Sequence, residues 1–309
     1  MTRLVRLLLT LLALACTAHG ALAADAAPLR VVATFSILGD LTRQIGGERV
    51  QVHVLVGPNA DAHVYQPTPA DAKMLAQSSL VVMNGLGFEG WIARLVKSSG
   101  YRGRLLQASD GVNTLRLPSG KPARERGHEH EHDGALDPHA WQDMANAARY
   151  VDNIAQALVE VDPAGQAAYR ANALRLKQAI GAADAEIRAL FAAIPEARRK
   201  VVTSHDAFGY FGRAYGIRFV SPVSVSTDAE ASAAEVGRII RQIRQERIAA
   251  VFMENISDPR LLERIRSESG AGIGGTLYSD SLSTAGGPAA DYLAMMRHNA
   301  KTLAAAMRR

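Results

Sequence analysis

The feature that most constrains the fold of this chain is a regular alternation of short β-branched runs with longer helix-forming stretches. Such an alternation is typical of α/β proteins, in which crossover helices join the strands of mostly parallel sheets. The pattern occurs in both halves of the 309 residues, so we predict two (β/α) halves. The predicted strands cover residues 29–34, 50–56, 80–83 and 104–107 in the first half and 200–203, 218–220, 249–253 and 273–277 in the second.

One long helix-forming stretch separates the two halves. Asp162-Pro163 offers an N-cap residue followed by proline at the first helical position, and the next proline able to end a helix is Pro195. Residues 164–194 are rich in Ala, Leu, Arg, Gln and Glu, which favour helix. We therefore predict one rigid connecting helix of roughly 45 Å, with two shorter helices broken near Gly181 as the alternative.

The first residues have the pattern of a secretory signal peptide. Arg3 and Arg6 precede an apolar run over residues 7–16, which is too short to span a bilayer. Small residues then predict cleavage after Ala23, and hence export to the periplasm. The alternatives are a lipoprotein acylated at Cys16 and an uncleaved membrane anchor.

Composition excludes several classes of protein. Cys16 is the only cysteine, so the mature chain has no disulfide and no thiolate metal ligand. The net charge is +5, and loss of Arg3 and Arg6 with the leader leaves +3. Because the basic residues are scattered and have few aromatic neighbours, we expect no nucleic-acid partner. We expect the protein to be a monomer.

Residues 113–134 show neither helical nor strand periodicity. Prolines, glycine and a charge run precede a short histidine-rich sequence, and such a stretch cannot bury a core face. We predict a mobile loop whose histidines capture metal weakly; the alternative is a solvated low-complexity segment. These histidines are His128, His130 and His132.

Three histidines and one aspartate stand apart by their position: His63, His205 and Asp280 follow predicted strands, and His139 lies at a predicted helix start. Open α/β sheets bind ligands at the carboxyl ends of their strands, and two of the four fall in each half, so they are expected to converge between the halves. Three imidazoles and one carboxylate suit tetrahedral zinc. From spacing alone, each could equally be a hydrogen-bonded structural residue. His53 and His298 are interpreted as structural or exposed.

Other polar residues near the candidate ligands have two interpretations. Asp61 and Glu254 are either hydrogen-bond acceptors for metal-bound imidazoles or caps of turns. Asp137, followed by proline, is interpreted as the N-cap of a helix that begins at His139. Trp91 and Trp141 are expected in the core.

Several ordered segments carry a family resemblance: "DAHVYQPTPADAKML", "VVMNGLGFEGWI", "DPHAW", "TSHDAFGYFGRAYGI", "VFMENISDP" and "LYSDSLS". They resemble the zinc/manganese family of solute-binding proteins of ABC importers, and the match runs from about Leu29 to the C-terminus. The resemblance implies two (β/α) lobes joined by a rigid helix, with one metal in the cleft between them. By motif position it assigns the four ligands to His63, His139, His205 and Asp280.

The resemblance also sets the expected organisation of the chain. Residues 1–23 are expected to form the signal peptide, residues 24–161 the first lobe, residues 162–195 the linker helix and residues 196–309 the second lobe. Because a rigid linker holds the lobes nearly fixed, we expect metal release through small tilts and through loops such as residues 222–232.

The expected function is high-affinity binding of one Zn²⁺ and its delivery to an ABC-importer permease, with a periplasmic metallochaperone as a further candidate partner. In this family a glutamate at the position of His205 is the manganese pattern, so an imidazole there favours zinc. The first alternative is a manganese-binding protein of the same family. A zinc hydrolase is disfavoured because four protein ligands leave no position for a catalytic water. A surface adhesin would require a retained anchor.

Overall fold

A computed structural model describes residues 27–117, 135–248 and 250–308 of the chain. The predicted signal peptide, Cys16 and the three histidines at positions 128, 130 and 132 lie outside these residues. None of the described helices is both long and apolar enough to cross a lipid bilayer. The strands are β1 (Leu29–Phe35), β2 (Val50–Val56), β3 (Leu80–Met83), β4 (Arg104–Gln107), β5 (Lys200–Val202), β6 (Arg218–Val220), β7 (Ala250–Glu254) and β8 (Gly272–Leu277).

The described α-helices alternate with these strands, apart from two helices in succession between β4 and β5. They are α1 (Ser36–Gly46), α2 (Pro69–Ala76), α3 (Ile92–Ser99), α4 (Met144–Val161), α5 (Gln166–Ala192), α6 (Gly209–Tyr215), α7 (Ala233–Glu246), α8 (Pro259–Ser269) and α9 (Tyr292–Met307). The predicted α/β class with two lobes and one long helix is therefore confirmed.

Two four-stranded parallel sheets form the two lobes. The first has the order β2-β1-β3-β4 and the second the order β6-β5-β7-β8, so both follow the same winding scheme. In each sheet the winding reverses between the two central strands, and ligands of such sheets bind at that reversal. The strand predictions are correct to within a residue or two, apart from residue 249, which lies outside the described residues.

The long helix is α5, and it runs without a break through Gly181. The single-helix prediction is confirmed, but the predicted helix start at Asp162 is wrong. The side chain of Asp162 accepts hydrogen bonds from Tyr169 Oη at 2.6 Å and from the Arg49 guanidinium, so it caps no helix. A 3₁₀ turn, Pro163–Gly165, precedes α5 instead.

The hydrophobic residues divide unequally between two clusters. The larger cluster is continuous through both lobes, α5 and α9, and includes Tyr169, Phe191 and Tyr292. A smaller one lies between the second sheet and helices α7 and α8; its buried members are Val202, Val236, Ile239, Ile240, Ile243, Ile248, Val251, Leu262 and Ile265. The lobe boundaries at residues 161/162 and 195/196 stay a prediction.

Part of the stretch predicted as a loop, residues 113–134, is paired with residues 135 and 136. Arg116 pairs with Leu136 in an antiparallel bridge, and Leu117 N donates to Ala135 O at 2.8 Å. Helix α6 stabilises this pairing because Tyr210 Oη accepts from Leu115 N at 2.9 Å. Sequence periodicity missed it because a single bridge is too short to produce a pattern. Residues 118–134 lie outside the described part of the chain.

Candidate metal centre

The four candidate ligands lie at the carboxyl ends of the two sheets. His63 lies in the loop between β2 and α2, and His139 lies between β4 and α4. His205 follows β5, and Asp280 follows β8. Since the strands of each sheet are parallel, these loops emerge on one edge, where the two lobes face each other.

The structure brings all four side chains together around the carboxylate of Asp280. One donor atom from each residue lies within 4.8 Å of the other three. The Nε2 atoms of His205, His63 and His139 lie 3.1, 3.3 and 3.5 Å, respectively, from an oxygen of Asp280. All three imidazoles thus present the same nitrogen to one point.

The cluster is buried and its hydrogen bonding is incomplete. The side chains of the four residues are at most 4% exposed. His63 Nε2, His139 Nε2 and Asp280 Oδ1 are buried and make no hydrogen bond. Buried polar atoms are normally paired, so three orphaned donor atoms in one cluster point to a bound cation. The chemistry of the residues fits that cation, because imidazole nitrogen and carboxylate oxygen are metal-binding groups.

Two of the imidazoles contact a carboxylate through their second ring nitrogen, Nδ1. Asp137 Oδ1 lies 2.8 Å from His139 Nδ1, and Glu254 Oε2 lies 2.7 Å from His205 Nδ1. Asp137 also accepts the backbone N–H of His139, and Glu254 Oε1 accepts that of His205. Such contacts fix the tautomer that leaves Nε2 free for a metal and make the nitrogen more basic.

Two sequence interpretations change at this point. Asp137 is not the N-cap of a helix, because its carboxylate contacts His139; a 3₁₀ turn over Ala140–Gln142 follows, and Asp143 caps α4. Asp61 accepts the backbone N–H of His63 at 2.9 Å and the hydroxyl of Thr227 at 2.6 Å, which matches its turn-capping interpretation. Glu254 Oε2 lies next to His205 Nδ1, but neither atom makes a hydrogen bond, so its role as an acceptor for a metal-bound imidazole stays a prediction.

The charges of the cluster shift the pKa values of its members. Burial raises the pKa of Asp280, but His139 and His205 outweigh burial and hold this pKa well below its ordinary value. Burial lowers the pKa of His139, whereas Asp280 and Asp137 outweigh it and raise the pKa to about 9. For His205, Glu254 and Asp280 likewise outweigh burial and raise the pKa well above its ordinary value. The metal-free cluster therefore holds protons at neutral pH.

A family profile described as zinc-uptake complex component A, periplasmic (ZnuA), matches residues 31–306. The chain belongs to this family. The manganese-binding lipoprotein MntA of Halalkalibacterium halodurans is 33% identical over 278 residues, which cover 90% of this chain and 88% of MntA. The iron ABC transporter substrate-binding lipoprotein MtsA of Streptococcus pyogenes is 31% identical over 294 residues, covering 93% of this chain and 92% of MtsA.

A solved structure of similar fold is the periplasmic zinc-binding protein TroA from Treponema pallidum. It matches with a TM-score of 0.82 and 28% identity, covering 91% of this chain and 100% of TroA. The ZnuA family comprises metal-binding solute-binding proteins of ABC importers, so this member is not an enzyme. The names of the relatives specify manganese, iron and zinc, so family membership leaves the metal open.

On the first-lobe side, aromatic rings enclose the cluster. The Phe88 ring lies edge-on to His63 and His139, with centroids 4.6 and 5.9 Å apart, and the Trp141 ring lies 5.3 Å from His139. Phe35 packs behind both at 4.9 and 5.1 Å. Phe35, Phe88 and Trp141, here called the aromatic wall, are at most 1% exposed. Trp141 is thus in the core, as expected, but it also contacts a candidate ligand.

On the second-lobe side, the cluster borders a cavity of about 550 Å³. Its lining includes Asp61, Ser204, His205 and Thr227, so it reaches one candidate ligand directly. Ser204 Oγ is buried without a hydrogen-bond partner. Neither this cavity nor the aromatic wall was predicted from the sequence, because Phe88 and Thr227 are not metal-ligating residue types.

Proposed function

We propose that this member of the ZnuA family captures zinc in the periplasm and delivers it to the permease of an ABC importer. The ligands in this proposal are His63, His139, His205 and Asp280. The observation that carries it is the buried meeting of three Nε2 atoms at one carboxylate, with donor atoms left unpaired. Periplasmic location rests on the leader pattern and on the family description, and the proposed form is a monomer.

Zinc is supported by the donor set. Structural zinc sites take four protein ligands in tetrahedral geometry, and imidazole suits zinc, whereas manganese favours oxygen ligands and six-coordination. Three nitrogens and one carboxylate are available, and the carboxylates on His139 and His205 raise the basicity of the nitrogens. A closed set of this kind binds and stores a cation rather than activating water.

Manganese is the second candidate. MntA, the relative that is 33% identical, is named for manganese, and MtsA is named for iron. Either metal would accept the same four side chains if water completed its coordination. The decision between zinc and manganese therefore depends on whether water has access to the bound metal.

The decisive experiment measures metal content and competition. The purified protein is analysed for bound elements, stripped with a chelator, and titrated with zinc and manganese together. We expect one tight zinc per chain and a strong preference for zinc. Equal affinity for manganese would overturn the zinc assignment while leaving the ligands in place.

Single substitutions test the ligands. His63→Ala, His139→Ala and His205→Ala should each weaken zinc binding by about hundredfold or more, because each removes one of four ligands that share the binding energy. Asp280→Ala should be milder if water replaces its oxygen. His53→Ala is the matched control, since His53 lies on β2 outside the cluster. Wild-type binding by two of the three histidine variants would show that the site is elsewhere.

A further inference from the structure

The aromatic wall closes one side of the donor cluster without contributing any metal ligand. Phe88 contacts both His63 and His139 edge-on. Phe88 and Trp141 lie 4.9 Å apart between centroids, and Phe35 supports each of them from the core. These rings pack directly against two of the three candidate imidazole ligands.

We propose that Phe88, held by Trp141 and Phe35, is a specificity-determining residue that favours zinc over manganese by excluding water from the first-lobe side of the metal, opposite the cavity. This inference rests on the proposed function. Six-coordinate metals need two ligands beyond the four side chains, and water is the available source. Zinc is stable with four ligands, so the exclusion of water does not weaken its binding.

The wall acts by chemistry as well as by volume. A buried water needs two to four polar partners, and the rings of Phe35 and Phe88 offer none. The one polar group of Trp141, its indole N–H, donates to Ser279 O at 3.0 Å and is already used. A water bound to a metal on this side would therefore lack hydrogen-bond acceptors as well as space.

Trp141 also links the wall to the ligands of both lobes. It follows His139 by two residues, and its indole binds the residue before Asp280. Gln142 Nε2 donates to the same carbonyl, Ser279 O, at 2.8 Å. The wall thus holds His139 and Asp280 at a fixed separation, which limits their adjustment to a larger coordination sphere.

Cobalt(II) and metal competition together test the wall. Cobalt(II) absorbs visible light far more strongly in tetrahedral sites than in six-coordinate ones, so its spectrum reports coordination number. Wild-type protein should give the tetrahedral spectrum. Phe88→Ala should shift cobalt toward five- or six-coordination and narrow the preference for zinc over manganese by about tenfold or more, since each admitted water gains hydrogen bonds to a charged centre.

Phe191→Ala is the matched control. Phe191 is 1% exposed, lies on α5, and packs against Phe211 and Tyr215, which are outside the cluster. The Phe191→Ala substitution removes a ring of the same size from the same hydrophobic cluster as Phe88→Ala. An effect caused only by lost packing would therefore appear in both variants. We expect Phe191→Ala to lower stability while leaving the cobalt spectrum and the metal preference unchanged. Phe88→Leu replaces Phe88→Ala if the alanine variant does not fold.

Two results would overturn the inference. One is a six-coordinate cobalt spectrum in the wild-type protein, which needs no variant. The other is a folded Phe88 variant with unchanged spectrum and unchanged metal preference. If His139→Ala then still weakens zinc binding by about hundredfold or more, the proposed function stands and only the role of the wall fails. If His139→Ala binds zinc like wild type, the metal site itself is misassigned.

Discussion

The two sides of the donor cluster differ although the two sheets that build it have the same strand order. The first-lobe side is closed by Phe35, Phe88 and Trp141, which leave no polar group free. The second-lobe side borders a cavity of about 550 Å³ whose lining mixes polar and apolar side chains and reaches His205. Shared topology therefore fixes where the ligands lie, whereas the side chains around them separate the rigid side from the accessible one.

The packing behind each side follows the same division. The aromatic wall belongs to the large core that is continuous through both lobes and α5. The cavity is lined in part by Leu262, a member of the small cluster beneath α7 and α8. Regions with fewer buried apolar contacts open at lower free-energy cost, so we infer that metal enters and leaves on the cavity side.

The largest expected effect is the pH dependence of zinc affinity. It tests whether one histidine from each lobe, His139 and His205, is protonated in the metal-free protein. His139 has a pKa of about 9, and the pKa of His205 is raised well above its ordinary value. Both are therefore protonated in the metal-free protein at pH 7, and zinc must displace these protons. Zinc affinity should fall by at least about tenfold per pH unit from pH 8 to 6. Calorimetry in buffers of different ionisation enthalpy should detect the release of more than one proton for each zinc ion bound. Zinc binding without proton release would contradict the raised pKa values of the two histidines.

The next effect compares the carboxylate on each side. Asp137→Asn and Glu254→Gln each remove the charge that contacts an imidazole Nδ1, so each should weaken zinc binding by about 10- to 100-fold. Asp152→Asn is the control, because Asp152 pairs with Lys177 outside the cluster. If zinc affinity falls in only one of Asp137→Asn and Glu254→Gln, the carboxylate supports its imidazole in only one of the two lobes.

Local sequence named the four candidate ligands but misjudged Asp137, whose carboxylate contacts one of them. The chain has three Asp-Pro pairs, each of which resembles a helix start. Only Asp258 caps the α-helix that follows, by accepting from Arg260 N. Asp137 binds His139, and Asp162 binds Arg49 and Tyr169. Which group each carboxylate contacts depends on tertiary packing, which the local sequence does not encode.

The strands could be predicted from short β-branched runs, and the long helix from a stretch of helix-forming residues between two prolines. The four candidate ligands could be named because each lies in a segment of family resemblance, and three of them also follow a predicted strand. Phe88 and Thr227 could not, since a phenylalanine in a glycine-rich turn and a threonine in a polar loop fit many roles. Their roles depend on which side of the cluster they face, and that requires the three-dimensional arrangement of both lobes.

A smaller effect should appear in local stability. Amide hydrogens in α7 and α8 should exchange at least about tenfold faster than those in α5, because the small cluster can open without the large core. Hydrogen-exchange mass spectrometry of the metal-free protein measures this difference. Zinc should slow exchange next to the cavity more than in α5. Equal protection of α5, α7 and α8 would contradict the inferred division into two packing regions.

The smallest effect concerns the single hydrogen bond that we find from the 222–232 segment to the first lobe among the described residues. Thr227 Oγ1 donates to Asp61 Oδ2 at 2.6 Å, and Asp61 Oδ1 in turn binds the backbone N–H of His63. The hydroxyl thus connects a cavity-lining segment to the loop of a candidate ligand. Thr227→Val keeps the shape and removes the donor, so the segment should open more often.

Zinc release from Thr227→Val should be about fivefold faster than from wild type, because one hydrogen bond contributes about 1 kcal/mol. Stopped-flow mixing of the zinc-loaded protein with a chelator measures the rate. Ser226→Ala is the control, since the Ser226 hydroxyl accepts only from Asp228 N within its own segment. An unchanged rate in Thr227→Val would place the exit elsewhere. A faster rate with unchanged cobalt geometry would show that access is controlled on the cavity side and coordination number on the side of the wall.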